Sequence, residues 1–248
     1  MRRWLAPEVI QTSAMDCGPA ALKCVLEGFG IRASYGRLRE ACQTDVDGTS
    51  IDTIEDTAVR LGLDASQITL PLDQLLAAES NALPAIIVVR LANGGTHFVV
   101  IWRKHGPFLQ IMDPAHGRRW VHRSRFLSQV YVHSTTVPPD AWQEWSSGES
   151  FQSGLRNRLK RLRVPDRDAL LASDPAALDA AIRLASALHR TRAISRGASA
   201  GRLIASLVES PDQIPIAYWS AKPLDEEAVA VRGAVLLHIE GVKPASER

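Results

Sequence analysis

The apolar positions change period about a third of the way along the chain. In roughly the first seventy residues they recur at helical spacing. Pro19 falls in a first turn, Ala20 to Leu26 favour helix, and Gly28 and Gly30 stop the run. Ser34 is placed to cap a short helix through Ala41. Ser50 is placed to cap another, with Ile51, Ile54, Ala58 and Leu61 on one face and Gly62 ending it. Pro71 to Ala78 predicts one more short helix. From there the pattern becomes that of strands. Ala85 to Val89 is a continuous apolar run, His97 to Trp102 is apolar and β-branched, and Phe108 to Met112 is a third strand, with the HGP of 105–107 as the turn before it. Arg118 to Val121 and Val130 to Thr136 are weaker strand signals. Helices first and an antiparallel sheet after them is an α+β order.

Pro138-Pro139, then Trp142, Trp145 and Ser146-Ser147-Gly148, mark an expected domain end, so the first domain spans 1–150. A basic amphipathic linker helix over 151–165 follows. In its LRNRLKRLR stretch, 155–163, Leu155, Leu159 and Leu162 recur at helical spacing among five basic residues. Two readings stay open for it: a surface touching anionic lipid or an acidic partner, or a solvated connecting helix. Asp174-Pro175 opens an amphipathic helix through Leu188, and Ala200 to Val208 reads as another. IPIAYW and VRGAVLLHI read as strands, so 166–248 is expected to be a small α+β domain, with no role assigned.

Composition excludes more than it selects. The 248 residues are 46% hydrophobic with a net charge of +2, which gives nucleic acid no electrostatic reason to bind. The charge is split unevenly: 14 Lys+Arg against 16 Asp+Glu in 1–150, and 15 against 11 in 151–248. Cys17, Cys24 and Cys42 form no CxxC pair, so neither a metal site nor a disulfide framework is expected. MRRWLAPEVI has no apolar stretch behind its arginines to make a secretory signal. ALPAIIVV and AVAVRGAVLLHI are too short or too interrupted to span a bilayer. The expected location is the cytoplasm.

The candidate chemistry lies in QTSAMDCGPAALK, 11–23. With Pro19 in the first turn, Cys17 stands at a helix N-terminus, where unpaired N–H groups lower a thiol's pKa. Gly18 leaves an incoming carbonyl unobstructed. Gln11 can set its side-chain amide beside the Cys17 N–H to make an oxyanion hole. Read singly, Gln11 is an ordinary surface amide, and Cys24 and Cys42 are small hydrophobes facing the core. Among the seven histidines, His97 opens an apolar strand after a Gly94-Gly95-Thr96 turn; a satisfied core histidine would look the same. The following strand and turn can return Asp113 to its side, to fix one ring nitrogen and leave the other for Cys17. Asp113-Pro114 can also be a simple turn starter. His116 is an alternative base in a loop without an evident orienting carboxylate. Taken together, Gln, Cys, His and Asp in that order, with helices before strands, make a papain-like arrangement.

QTSAMDCGPAAL, LPAIIVV, THFVVI and IMDPAHG closely resemble the bacteriocin-processing peptidase family, the double-glycine leader peptidases found as N-terminal domains of peptidase-containing ABC transporters. The resemblance covers roughly 8–135. It implies a papain-like fold with N-terminal helices on an antiparallel sheet, Cys17 as nucleophile, His97 as base and acid, Asp113 as orienter and Gln11 as oxyanion donor, with no cofactor. It also implies cleavage after a Gly-Gly type pair of a precursor whose amphipathic leader docks nearby, and as partners the membrane and ATPase domains of a transporter at the cytoplasmic face of the inner membrane. Two other readings keep the same core: a docking module that binds leaders without cutting them, and a transferase that passes the acyl group to an amine or thiol.

Overall fold

The computed structural model describes residues 2–44, 48–78 and 80–244. The first helix, α1 (Cys17–Gly28), starts where the Ala20 N–H bonds to the Asp16 carbonyl. Pro19 has no N–H to leave unpaired so early in a helix. Nine of the twelve residues are buried, so α1 is a core helix, and Leu22, Val25 and Leu26 each contribute about 1.5–3 kcal/mol of burial. Then come α2 (Tyr35–Ala41) and α3 (Ile51–Arg60). The Ser50 hydroxyl accepts the Thr53 N–H as an N-cap, whereas the Ser34 side chain makes no cap bond.

The chain divides into two compact units. The first comprises Met1–Leu76, Asn81–His133 and Ala234–Arg248; the second comprises Ala77–Ser80 and Ser134–Gly233. In the first unit the strands are β1 (Leu63–Leu70), β2 (Ala85–Arg90), β3 (Thr96–His105), β4 (Phe108–Asp113) and β5 (Gly117–His122), with α4 (Arg123–Leu127) after them. The late strand β8 (Val229–Val242) joins them, giving the antiparallel order β1-β8-β2-β3-β4-β5. β8 pairs with β1 from Leu63↔Val242 to Leu70↔Ala234, and with β2 over Ala85↔His238 to Ile87↔Leu236. Beyond that point the edge of β2 is taken by Gln129–Tyr131, through the Val89↔Val130 bridge and the Tyr131 N–H to the Val88 carbonyl.

Alternation along the strands builds one core on each face of this sheet. On one face Ile86, Val100, Trp102, Met112 and Leu237 pack with α1, Leu38, Ile54 and Ala58. On the other Ile87, Val99, Ile101, Leu109, Ile111 and Leu236 pack with Leu75, Leu76 and Phe126. The ends of α1 are fitted by glycine. A Cβ on Gly28 would lie 2.2 Å from the Trp102 ring, and one on Gly18 would lie 2.3 Å from the Thr49 methyl.

Four expectations need correction. Pro71 to Ala78 forms turns, not a helix, with Gln74 and Leu75 both bonded to the Pro71 carbonyl. Leu75 and Leu76 both enter the core. IPIAYW is a 3-10 turn at Ile216–Tyr218 between Pro215 and a Trp219 whose indole N–H bonds back to the Ile214 carbonyl. The boundary at 150 is not the division of the chain, because 134–150 belongs to the second unit and 234–242 to the first unit's sheet. The stretch 151–165 is not a linker. It lies in α6 (Glu149–Arg161) and the turn after it, with Leu155, Leu159 and Leu162 buried in the second unit's core. That burial leaves no apolar face of 155–163 for a bilayer.

Besides α6, the second unit contains α5 (Pro139–Ser147), α7 (Arg167–Leu171), α8 (Pro175–Arg190) and α9 (Ala198–Glu209); β6 (His133–Val137), all but its first residue in this unit, and β7 (Ala221–Pro223) both pair with β8. At its centre Asp179, fully buried, accepts from Arg158, Arg183 and the Ser220 hydroxyl. The two guanidinium groups hold its carboxyl below the ordinary range against the opposing effect of burial. Among the described residues, no helix is long and apolar enough to cross a membrane.

The Gly18 contact is open to a double-mutant test. Gly18→Ala should destabilise the fold by about 1–3 kcal/mol through overpacking. Thr49→Ser, which deletes the obstructing methyl but keeps the hydroxyl bonded to the Cys42 carbonyl, should recover part of that loss. Thermal melting of the two single variants and the double variant reads the coupling.

Candidate active site

α1 and β3 supply the two central groups. Cys17 is the first residue of α1, so its N–H and that of Gly18 precede the helical hydrogen-bond ladder. His97 is the second residue of β3, delivered by a hairpin loop in which Leu91 N–H bonds to the Gly95 carbonyl and Gly94 adopts φ +86°. The histidine side chain is 6% exposed. Its Nε2 lies 2.9 Å from Asp113 Oδ1, and its ring is close enough to the Cys17 thiol for each group to shift the other's pKa. With Nε2 engaged by Asp113, Nδ1 is the nitrogen left for sulfur.

Asp113 ends β4 at 5% side-chain exposure and satisfies both oxygens. Oδ1 accepts from His97 and, at 3.0 Å, from the Ala115 N–H. Oδ2 lies 2.7 Å from Arg119 Nη2 and 3.1 Å from His116 Nδ1. His116 therefore does have a carboxylate beside it, contrary to expectation: the turn after Asp113 folds it back onto the oxygen that His97 does not use. His116 and His97 share one acid, and of the two it is His97 that shifts the Cys17 thiol.

Gln11 reaches the same place along the N-terminal segment. The Ala6 N–H bonds to the Gln110 side chain, Arg118 donates to the Ala6 carbonyl, and the Gln11 N–H bonds to the Pro114 carbonyl, one residue past Asp113. The Gln11 side-chain Oε1 is buried and accepts no hydrogen bond among the described residues. The loop between Gln11 and Cys17 is tied down by fully buried Asp16, which accepts from Thr12 at 2.7 Å and from Arg39 Nε at 2.8 Å. Sequence reading missed Asp16, Arg39 and Arg119 as parts of this arrangement. The one available signal was an acid placed directly before Cys17 at the start of an apolar helix. Gly18 has a packing reason as well as the one expected, since it lets α1 approach Thr49.

The electrostatics separate Cys17 from the other cysteines. Burial pushes its thiol up. The hydrogen bond with His97, the Phe98 and Gly18 N–H groups and the charge on His97 together outweigh that, and the pKa is lowered. Burial alone dominates at Cys42, pushed up to about 11, and pushes Cys24 up as well. At His97 burial disfavours the cation, but Asp113 and Cys17 raise its pKa to about 9. Burial raises Asp113, while His97 and the Ala115 N–H bring it down to about 2. A thiolate facing an imidazolium on a carboxylate can attack an electrophilic carbon and then give a proton to the leaving group.

Two outcomes follow from these shifts. At neutral pH iodoacetamide should alkylate Cys17 while Cys24 and Cys42 of the native protein stay unmodified, as read by peptide mass spectrometry. The imidazolium half of the pair is present below His97's raised pKa and lost above it, so reactions that need its proton should fall as pH rises through about 9.

Several known proteins are similar to this chain. The lactococcin-G-processing and transport ATP-binding protein LagD of Lactococcus lactis is 33% identical over 110 residues, 44% of this chain and 16% of that protein. An uncharacterized protein of Methanothermobacter marburgensis is 30% identical over 139 residues, 55% of this chain and 92% of that protein. Among solved structures, a double glycine motif protease from an AMS/PCAT transporter in complex with the leader peptide is 25% identical, with a TM-score of 0.46 over 52% of this chain and 89% of that one. The sequence model described as Peptidase C39 family matches residues 6–132, a stretch that contains Gln11, Cys17 and His97, and Asp113 with them. This chain belongs to the Peptidase C39 family.

Proposed function

We propose that this chain is a cysteine endopeptidase that cuts the leader from secreted-peptide precursors after a Gly-Gly type pair, in step with export by an ABC transporter. The observation that carries the reading is His97 Nε2 lying 2.9 Å from the buried Asp113 carboxylate, beside a Cys17 thiol that His97 helps to hold below its ordinary pKa. The sequence resemblance supplies the Gly-Gly site. LagD, a processing and transport protein by its name, supports the coupling to export, although this chain spans only 16% of its length. Three free cysteines suit a reducing cytoplasm.

In this reading the Cys17 thiolate attacks the carbonyl carbon that follows the second glycine's Cα. The oxyanion that forms takes hydrogen bonds from the Cys17 N–H and the Gln11 side-chain amide. The His97 imidazolium gives its Nδ1 proton to the departing amine, the C–N bond breaks, and the leader remains as a thioester on Cys17. Water then gives up a proton to neutral His97 as it adds to the thioester, releasing the leader carboxylate and restoring the thiol pair. Asp113 stays ionised throughout and keeps the proton-bearing Nε2 turned away from sulfur. A docking module without catalysis would have no need of a thiol held below its ordinary pKa.

Synthetic leader peptides ending in Gly-Gly plus a short cargo test the proposal. Wild-type protein should cut directly after the glycine pair, and Cys17→Ala should not cut at all, as mass spectrometry of the products reads. Gln11→Ala should lower kcat by about 10²–10³. Tight binding of the leader by wild type and Cys17→Ala alike, with no cut by either, would replace the peptidase with the docking module.

A further inference from the structure

The outer oxygen of Asp113 has no part in the hydrogen bond to His97, yet it is the oxygen with the shortest contact. Arg119 Nη2 lies 2.7 Å from Oδ2, against 2.9 Å for His97 Nε2 on Oδ1. We infer that Arg119 is a positioning residue: its guanidinium pins Oδ2 so that Oδ1 stays aimed at His97. This deepens the peptidase reading and rests on it for its kinetic consequence.

The torsion that turns an aspartate carboxylate is broad and two-fold, so bonds to one oxygen alone leave the group free to rock and to exchange its oxygens. Donors fixed on both sides remove that freedom. Arg119 is placed to be such a donor by the β4–β5 pairing. Asp113 stands opposite Gly117 and Ile111 opposite Arg119, which makes Asp113 and Arg119 diagonal neighbours across the pair. The register of two strands therefore sets the reach of the guanidinium. Its N–H groups donate at every working pH, and a charged donor on a carboxylate makes the stronger class of hydrogen bond. His116 touches the same oxygen from a turn at 63% side-chain exposure and 3.1 Å, and its Nδ1 donates only when it carries the proton. The Arg119 side chain is 44% exposed, so it holds the buried acid without being buried itself.

The test uses the full chain with ¹⁵N-labelled histidine. In wild type the Nε2 proton of His97, sealed between the ring and Asp113, should give a downfield NMR signal that exchanges slowly with water. Arg119→Met should broaden that signal and lower kcat for leader cleavage about tenfold, with KM changed by less than about twofold. Arg119→Lys, which keeps a cationic donor, should recover most of both. Arg123→Met removes an arginine at the start of α4 and should change neither. Circular dichroism verifies the fold; if Arg119→Met melts early, Arg119→Gln replaces it in the same readings. An unchanged signal and kcat in the folded Arg119 variant overturns the inference. Loss of the signal in that variant, in a wild-type protein that cuts no leader, sustains the positioning role and overturns the peptidase reading instead.

Discussion

A carboxylate taken almost out of water must be satisfied on both of its oxygens, and the site is organised around meeting that need at Asp113. One oxygen faces His97 and the Ala115 N–H, and the other faces Arg119 and His116. The charge that remains on Asp113 raises the basicity of His97, and His97 in turn lowers the thiol of Cys17 against the effect of its burial. Each group thus sets the state of the next. The helix N-terminus adds to this through the N–H of Gly18.

The scaffold brings the parts together from widely separated stretches of chain, each fixed by backbone geometry. α1 comes close enough because Gly18 and Gly28 have no side chains to hold it off Thr49 and Trp102. The N-terminal segment is fastened to the sheet at Gln110, Arg118 and Pro114, and so Gln11 arrives beside the turn that follows the acid. Beneath the loop from Gln11 to Cys17, Asp16 is an internal anchor whose charge is met by Arg39. Placement by strand register and by packed backbone is more exact than placement by flexible side chains, and a site that must hold three groups within hydrogen-bond distance needs it.

Much of this was legible in the chain itself. The period change near residue 85, the glycine turn before His97 and the DP that closes β4 gave the helices, the central hairpin and the four residues Gln11, Cys17, His97 and Asp113. The illegible parts have specific physical causes. β1 is polar at Asp64, Ser66 and Gln67 because it lies at the edge of the sheet, so it shows little apolar pattern. Arg119 looks like any surface arginine until strand register places it diagonally from Asp113. The leucines of α6 have the spacing of an amphipathic surface helix, and nothing local says that a core will cover them. The run VRGAVLLHI declares a buried strand without declaring its partners.

Those partners carry a consequence for how the protein is made. β8 lies between β1 and β2, although more than a hundred residues of chain separate it from β2. During synthesis the stretch carrying Gln11, Cys17, His97 and Asp113 leaves the ribosome long before the strand that fills the middle of its sheet. Until then the inner edges of β1 and β2 have no partner, and the slow, non-local step of the assembly comes last. Cys17 is therefore translated early and its surroundings matured late: a nascent chain bears all four candidate residues before it has the sheet to hold them.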